Sequence, residues 1–149
     1  MTEVLFYHLE RMPLEAVLPK LVERSIARGW RAVVQAGSEE RVDALDTLLW
    51  TYDQDSFIPH GTAKDGHPEL QAVFLTTGEM NPNGAAIRFL VDGADCADLS
   101  GLERAVFMFD GHDPEAVARA RVQWKALKDK GLALTYWQQD AKGAWQKRA

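Results

Sequence analysis

Short apolar runs alternate along the chain with longer segments whose apolar residues recur every three or four positions. Runs of the first kind are typical of buried strands, and segments of the second kind are typical of amphipathic helices. Strands are predicted at residues 4–7, 32–34, 72–76, 87–91, 105–109 and 132–137. Strands that alternate with helices favour a layered α/β fold with a mainly parallel sheet.

Capping signals place the ends of two predicted helices. The first helix carries apolar residues from Leu14 to Ile26 and stops at Gly29, with Pro19 inside it, so we expect a kink there or a start near the proline. The second begins after Ser38, which is a suitable N-cap, and ends around Trp50.

The third predicted helix has the clearest start and stop signals. Asp113 is its expected N-cap, Pro114 occupies the first helical position, and Gly131 follows its last turn.

Between the second helix and the strands that follow, residues 51–71 read as one long loop, and loops of that length are usually functional or mobile. From Gln138 the sequence is polar, and residues 140–149 are expected to form a loose tail of a single 1–149 domain.

The composition is that of an ordinary globular protein. The chain has 149 residues, 46% hydrophobic and 26% charged, and contains neither an apolar run near 18 residues nor a signal-like N-terminus. We therefore expect a cytoplasmic protein with no membrane span. The lone Cys96 is flanked by acids, which favours an unreactive thiol in a reducing compartment.

Charge is distributed unevenly between the two parts of the chain. Residues 1–110 carry 9 Lys/Arg against 18 Asp/Glu, whereas residues 111–149 carry 8 against 4. An acidic body argues against a broad nucleic-acid-binding surface, and a basic C-terminal quarter suits an anionic partner of limited size.

Motifs for catalysis or for cofactor binding are missing from the sequence. It has no glycine-rich phosphate loop, no nucleophile elbow and no pair of histidines at metal-ligand spacing, so we expect no catalytic residue, no metal and no cofactor. An alternative is a small α/β enzyme that uses the Asp110–Asp113 turn at the carboxyl end of a strand.

The third helix combines an apolar face with a row of cations. Val117, Ala120, Trp124 and Leu127 form the face expected to pack on the core. Along its flank lie three basic residues at i, i+4 and i+7, namely Arg121, Lys125 and Lys128. The row is either a solvated basic stripe or a cationic rim for a short acidic peptide with a hydrophobic anchor.

Aromatic residues are concentrated where the second helix ends. The segment Trp50-Thr-Tyr-Asp-Gln-Asp-Ser-Phe57-Ile-Pro-His60 holds side chains that either fold back onto the core or face a partner.

Another alternative is direct binding of single-stranded DNA, in which Trp124, Trp137 and Trp145 would be the stacking platforms. The acidic body counts against this alternative.

Several segments together carry a family resemblance. They are Phe6–Tyr7, Gly29–Arg41, Leu45–Asp46, Leu49–Trp50, Asp55–Gly61, Asn81–Ala85, Phe107–Gly111 and Gln123–Lys128. With them the chain resembles, from about residue 3 to residue 139, the chi subunit of bacterial DNA polymerase III. The resemblance implies a three-layer α/β/α sandwich with a Rossmann-like sheet and a non-catalytic replication subunit, which contacts DNA only indirectly.

The resemblance also implies two protein partners and the residues that meet them. One partner is the psi subunit or another clamp-loader component, at Trp50 and Phe57, with Pro59 and His60 in the same motif. The other is the acidic, phenylalanine-ending C-terminal tail of single-stranded DNA-binding protein, at Arg121 and Lys125.

Two details of the tail site come from this chain itself. Helical geometry adds Lys128 to the site. Val117 stands where some family members carry a basic residue, so we expect the affinity for the tail to be lower or differently distributed.

Overall fold

The computed structural model describes residues 2–53 and 57–149. Within them, α1 spans Leu14–Ala27, α2 spans Glu39–Thr51 and α3 spans Pro114–Asp129. The strands are β1 Glu3–Leu9, β2 Ala32–Gln35, β3 Gly61–Thr62, β4 Val73–Thr76, β5 Ile87–Leu90, β6 Arg104–Asp110, β7 Ala133–Gln139 and β8 Trp145–Lys147. The predicted order of strands and helices is confirmed, with β3 and β8 as additions.

The strands form one sheet in the order β3-β4-β2-β5-β6-β1-β7-β8. Each neighbouring pair is parallel apart from β7 and β8, which run antiparallel. The expected mainly parallel sheet is therefore confirmed. Its central strands are apolar on both faces because both faces are covered.

Alternating residues of β1 divide the core into two clusters. Leu5 packs in the cluster that holds Leu18 of α1 and Leu45 of α2. Phe6 packs in the other, with Ala120 of α3. Burial of a side chain such as Phe6 contributes about 1.5–3 kcal/mol. Two helices on one face and one helix on the other make the three-layer α/β/α sandwich.

The predicted capping residues lie where the sequence places them. Ser38 Oγ accepts a hydrogen bond from Arg41 N at 3.2 Å, and Asp113 Oδ1 accepts one from Glu115 N at 3.0 Å. Pro19 lies inside α1, which begins at Leu14, so the helix does not start near the proline. Each cap satisfies an amide that helix geometry leaves without an acceptor.

The predicted 51–71 loop contains secondary structure that the sequence pattern did not reveal. Gly61 and Thr62 form β3, which pairs with Phe74 and Leu75 of β4. The 3₁₀ turns Ala63–Asp65 and Pro68–Leu70 follow. A strand of two residues is too short to show an alternating pattern, which is why it was missed.

The C-terminal segment differs from the expected loose tail. The Asp140 carboxylate accepts hydrogen bonds from Lys142 N and Ala144 N, and Gly143 has a φ of 83°, so the chain turns back on itself. Trp145 then begins β8 and stacks on Tyr7 of β1, with ring centroids 4.8 Å apart. The expectation is therefore wrong for residues 145–147.

Candidate protein-binding surfaces

Two aromatic side chains project from the end of α2 and the loop after it. Trp50 is 56% exposed and Phe57 is 69% exposed, and their ring centroids lie 5.7 Å apart. Pro59 is exposed beside them, whereas Ile58 is buried. We call Trp50, Phe57 and Pro59 the aromatic patch; residues 54–56 of the predicted motif lie outside the described part of the chain. Exposed aromatic rings of this size are typical of binding hot spots.

His60 supports the aromatic patch from beneath and does not extend it. Its buried ring lies 4.7 Å from the Trp50 ring, centroid to centroid. Nδ1 is 2.7 Å from the Ile58 carbonyl oxygen, and Nε2 is 3.0 Å from a carboxylate oxygen of Asp46 in α2. These contacts join the loop to α2 and fix the ring against which Trp50 rests. His60 is therefore a positioning residue, which the sequence motif did not distinguish from its exposed neighbours.

Arg121, Lys125 and Lys128 are exposed on one flank of α3, and we call them the cationic stripe. Among residues 2–53 and 57–149, no carboxylate lies within 4.0 Å of any of these three side-chain cations. Their charges are thus not neutralised by ion pairs within that part of the molecule. Like charges at this spacing repel by a few tenths of a kcal/mol, so the row does not stabilise the helix.

An apolar strip runs beside the cationic stripe. Ala120 and Leu127 are buried, as predicted, and Val117 and Trp124 are half-buried. The Trp124 ring meets Phe6 at 5.4 Å and Tyr136 of β7 at 5.8 Å. We call this strip, which follows the line where α3 packs on β7, the α3–β7 groove; its half-buried members include Val117, Trp124, Leu134 and Tyr136.

Tyr136 connects the groove to the cationic stripe. Burial raises the pKa of its phenol, and the positive charge of nearby Arg121 acts in the opposite direction. The hydroxyl lies 2.6 Å from Nδ1 of His8. The sequence pattern did not single out Tyr136, although Leu134 and Tyr136 alternate along β7 in the way that marks one face of a strand.

The two surfaces lie on opposite faces of the sheet. α2 packs in the cluster that contains Leu5, and α3 packs in the cluster that contains Phe6. A partner on one surface would therefore leave the other surface open.

A cleft of about 710 Å³ opens beside the Asp110–Asp113 turn. The carboxylate of Asp110 accepts from His112 N at 2.9 Å, and Asp113 caps α3. The His112 ring lies 2.7 Å from the Glu10 carbonyl oxygen. These side chains hold the turn, and no group of three metal-binding residues occurs in the described ranges. The acidic side chains of the turn and the His112 ring, which the enzyme alternative would use, are thus engaged in contacts within the protein.

The three tryptophans of the DNA-binding alternative are half-buried and engaged within the protein. Trp124 packs on Phe6, Trp145 stacks on Tyr7, and Trp137 Nε1 donates to Thr135 Oγ1 at 3.0 Å. Rings in these positions present only part of their faces to a base.

The structure also bears on two other predictions, an unreactive Cys96 and the absence of a membrane span. Cys96 is buried, and burial raises the pKa of its thiol, which agrees with an unreactive cysteine. None of the helices in the described ranges has both the length and the apolar character that a membrane crossing requires.

Comparison with known proteins identifies the family. A probable DNA polymerase III subunit chi from Rickettsia prowazekii (strain Madrid E) is 27% identical over 110 residues, which are 73% of this chain and 66% of that relative. The chain thus spans just under two thirds of the relative's length. Residues 1–135 match the family model described as DNA polymerase III chi subunit, HolC. Because that match takes in most of the sequence, the chain belongs to the DNA polymerase III chi subunit family.

Proposed function

We propose that the chain is a non-catalytic adaptor of the replicative polymerase in the cytoplasm. Through the aromatic patch it docks to the clamp loader, by way of psi or another component. Through the cationic stripe it holds the acidic C-terminal tail of single-stranded DNA-binding protein. The observation that carries the proposal is the pair of exposed surfaces of opposite chemistry on opposite faces of the sheet.

The cationic stripe suits an acidic tail because its cations have no carboxylate partners in residues 2–53 and 57–149. A peptide carboxylate would gain an ion pair without breaking one inside the protein. Each such exposed pair contributes about 0.2–1 kcal/mol, so the charges mainly guide the encounter. The terminal phenylalanine ring would supply apolar contact against Trp124 and Tyr136.

The aromatic patch suits a partner that buries rings. Trp50 and Phe57 lose no internal packing when a partner covers them, because both are already exposed. Burying them removes apolar surface from water, which contributes about 25 cal/mol per Å² before the costs of association.

The tail assignment is tested by fluorescence anisotropy with a labelled acidic peptide that ends in phenylalanine. We expect Arg121→Ala combined with Lys125→Ala to weaken binding about tenfold, since two ion pairs are lost. The matched control is Lys20→Ala combined with Arg24→Ala, which removes one lysine and one arginine at the same i, i+4 spacing from exposed positions on α1. Equal affinities for the two double variants would refute the assignment.

A further inference from the structure

The β7–β8 hairpin forms the side of the α3–β7 groove that lies opposite α3. Trp124 of α3 packs on Phe6 of β1. In the sheet, β7 and then β8 lie next to β1 on the side away from β6. Leu134 and Tyr136 of β7 belong to the same cluster as α3. A ligand in the groove therefore has the cationic stripe on one side and the hairpin on the other.

The register of the hairpin decides which of its side chains face the groove. Trp145 stacks on Tyr7, and Tyr7 packs with the cluster of α1 and α2, so Trp145 lies on the face opposite α3. Lys147 pairs with Trp137, which packs with the same cluster, and so shares that face. Side chains alternate between the two faces of a strand.

Arg148 directly follows the last residue of β8, and continued alternation would turn its side chain toward α3. Its backbone N–H donates to the carbonyl oxygen of Tyr136 at 2.7 Å, which anchors it directly beside a groove residue. The side chain is exposed, and no carboxylate in the described ranges lies within 4.0 Å of its guanidinium. This arginine lies beyond residue 135, where the match to the family model ends.

From this placement we infer that Arg148 is a further binding residue for the acidic peptide, acting from the β8 side of the groove. The inference rests on the proposed tail site. A peptide with several carboxylates that lies on Trp124 and Tyr136 presents carboxylates to both sides. Arg121 and Lys125 meet one side, and Arg148 meets the other. A guanidinium suits this role because its fork of donors can bind a carboxylate at two oxygens.

Arg148 also bears on the absence of a cation at Val117. One helical turn before Arg121, α3 carries the apolar Val117 and therefore no cation at that place. Arg148, just after β8, adds positive charge to the groove from the opposite side. The tail would then be held between a helix and a strand, and not along one helix alone.

The test compares charge reversals at two neighbouring residues, which change the net charge equally but are expected to face opposite sides of the sheet. Arg148→Glu removes the groove cation, and Lys147→Glu removes its neighbour on the far face. With the same phenylalanine-ending acidic peptide at low salt, we expect about fivefold weaker binding for Arg148→Glu and less than twofold for Lys147→Glu. Thermal unfolding of both variants checks that the hairpin and the Tyr7–Trp145 stack are intact.

The outcomes separate the two proposals. If the wild-type protein fails to bind the peptide, the proposed function fails. If the wild type binds, and Arg121→Ala with Lys125→Ala weakens binding while the reversals at residues 147 and 148 act equally, the tail site stands and the role of Arg148 is overturned. If Arg148→Glu unfolds the hairpin, Arg148→Gln replaces it, and wild-type affinity in that variant would overturn the inference.

Discussion

The aromatic patch and the cationic stripe are both exposed surfaces, yet they are built in different ways. The patch consists of side chains at a helix end and in a loop, and its Trp50 ring rests on one buried histidine that also holds the loop. The stripe lies on the regular surface of α3, where helix geometry alone sets its spacing. The first surface needs support from tertiary structure, and the second needs only an intact helix.

This difference predicts different responses to damage. Removal of one aromatic anchor should remove much of the binding free energy of the patch, because a few large residues carry most of the binding free energy of an interface. Removal of one cation from the stripe leaves its neighbours in place. We therefore expect the largest single-residue effects at the patch.

The largest expected effect is that of Trp50→Ala. Loss of the 56%-exposed ring should weaken binding to the purified psi subunit or the clamp-loader complex by about 2–4 kcal/mol, roughly thirtyfold or more. Titration calorimetry measures the loss. Leu70→Ala is the control, since Leu70 is as exposed as Phe57, at 69%, but lies on another element. Unchanged affinity for Trp50→Ala would remove this tryptophan from the interface.

A smaller effect is expected for His60→Ala. The substitution deletes the contacts with Ile58 and Asp46 and leaves the buried Ile58 carbonyl without its partner. The free energy of unfolding, measured with urea, should fall by about 1–3 kcal/mol. Partner affinity should fall as well, because the Trp50 ring loses the surface it rests on. His67→Asn serves as the control, because His67 is exposed and asparagine tolerates its φ of 48°.

The two results together sharpen the role of His60. A loss of stability with full partner affinity would make His60 a purely structural residue. A loss of affinity with no change in stability would instead mean that the buried imidazole acts by positioning Trp50 for the partner.

Sequence patterns predict those parts of the molecule that depend on local periodicity. The strand runs, the caps Ser38 and Asp113 and the apolar face of α3 all follow from residues near one another in the chain, and the structure confirms them. The exposure of the cationic stripe follows in the same way from helical spacing.

Features that depend on long-range pairing were not predictable in this way. β3 is stabilised by two residue pairs with β4, and β8 by a hairpin and the Tyr7–Trp145 stack. The bracing role of His60 depends on Asp46, fourteen residues earlier in α2. A local pattern holds no information about such partners, because tertiary packing selects them.

The dependence of binding on ionic strength also tests the difference between the two surfaces. The Debye length falls from about 10 Å at 0.1 M to about 3 Å at 1 M ionic strength, so contacts between exposed charges weaken. Binding of the acidic peptide should fall about fivefold or more over this range, as measured by fluorescence anisotropy. Binding of the clamp-loader partner should change less than twofold, because burial of apolar surface is not screened by ions. Parallel salt curves for the two partners would mean that charge governs both surfaces, and the aromatic patch would then not be the docking site.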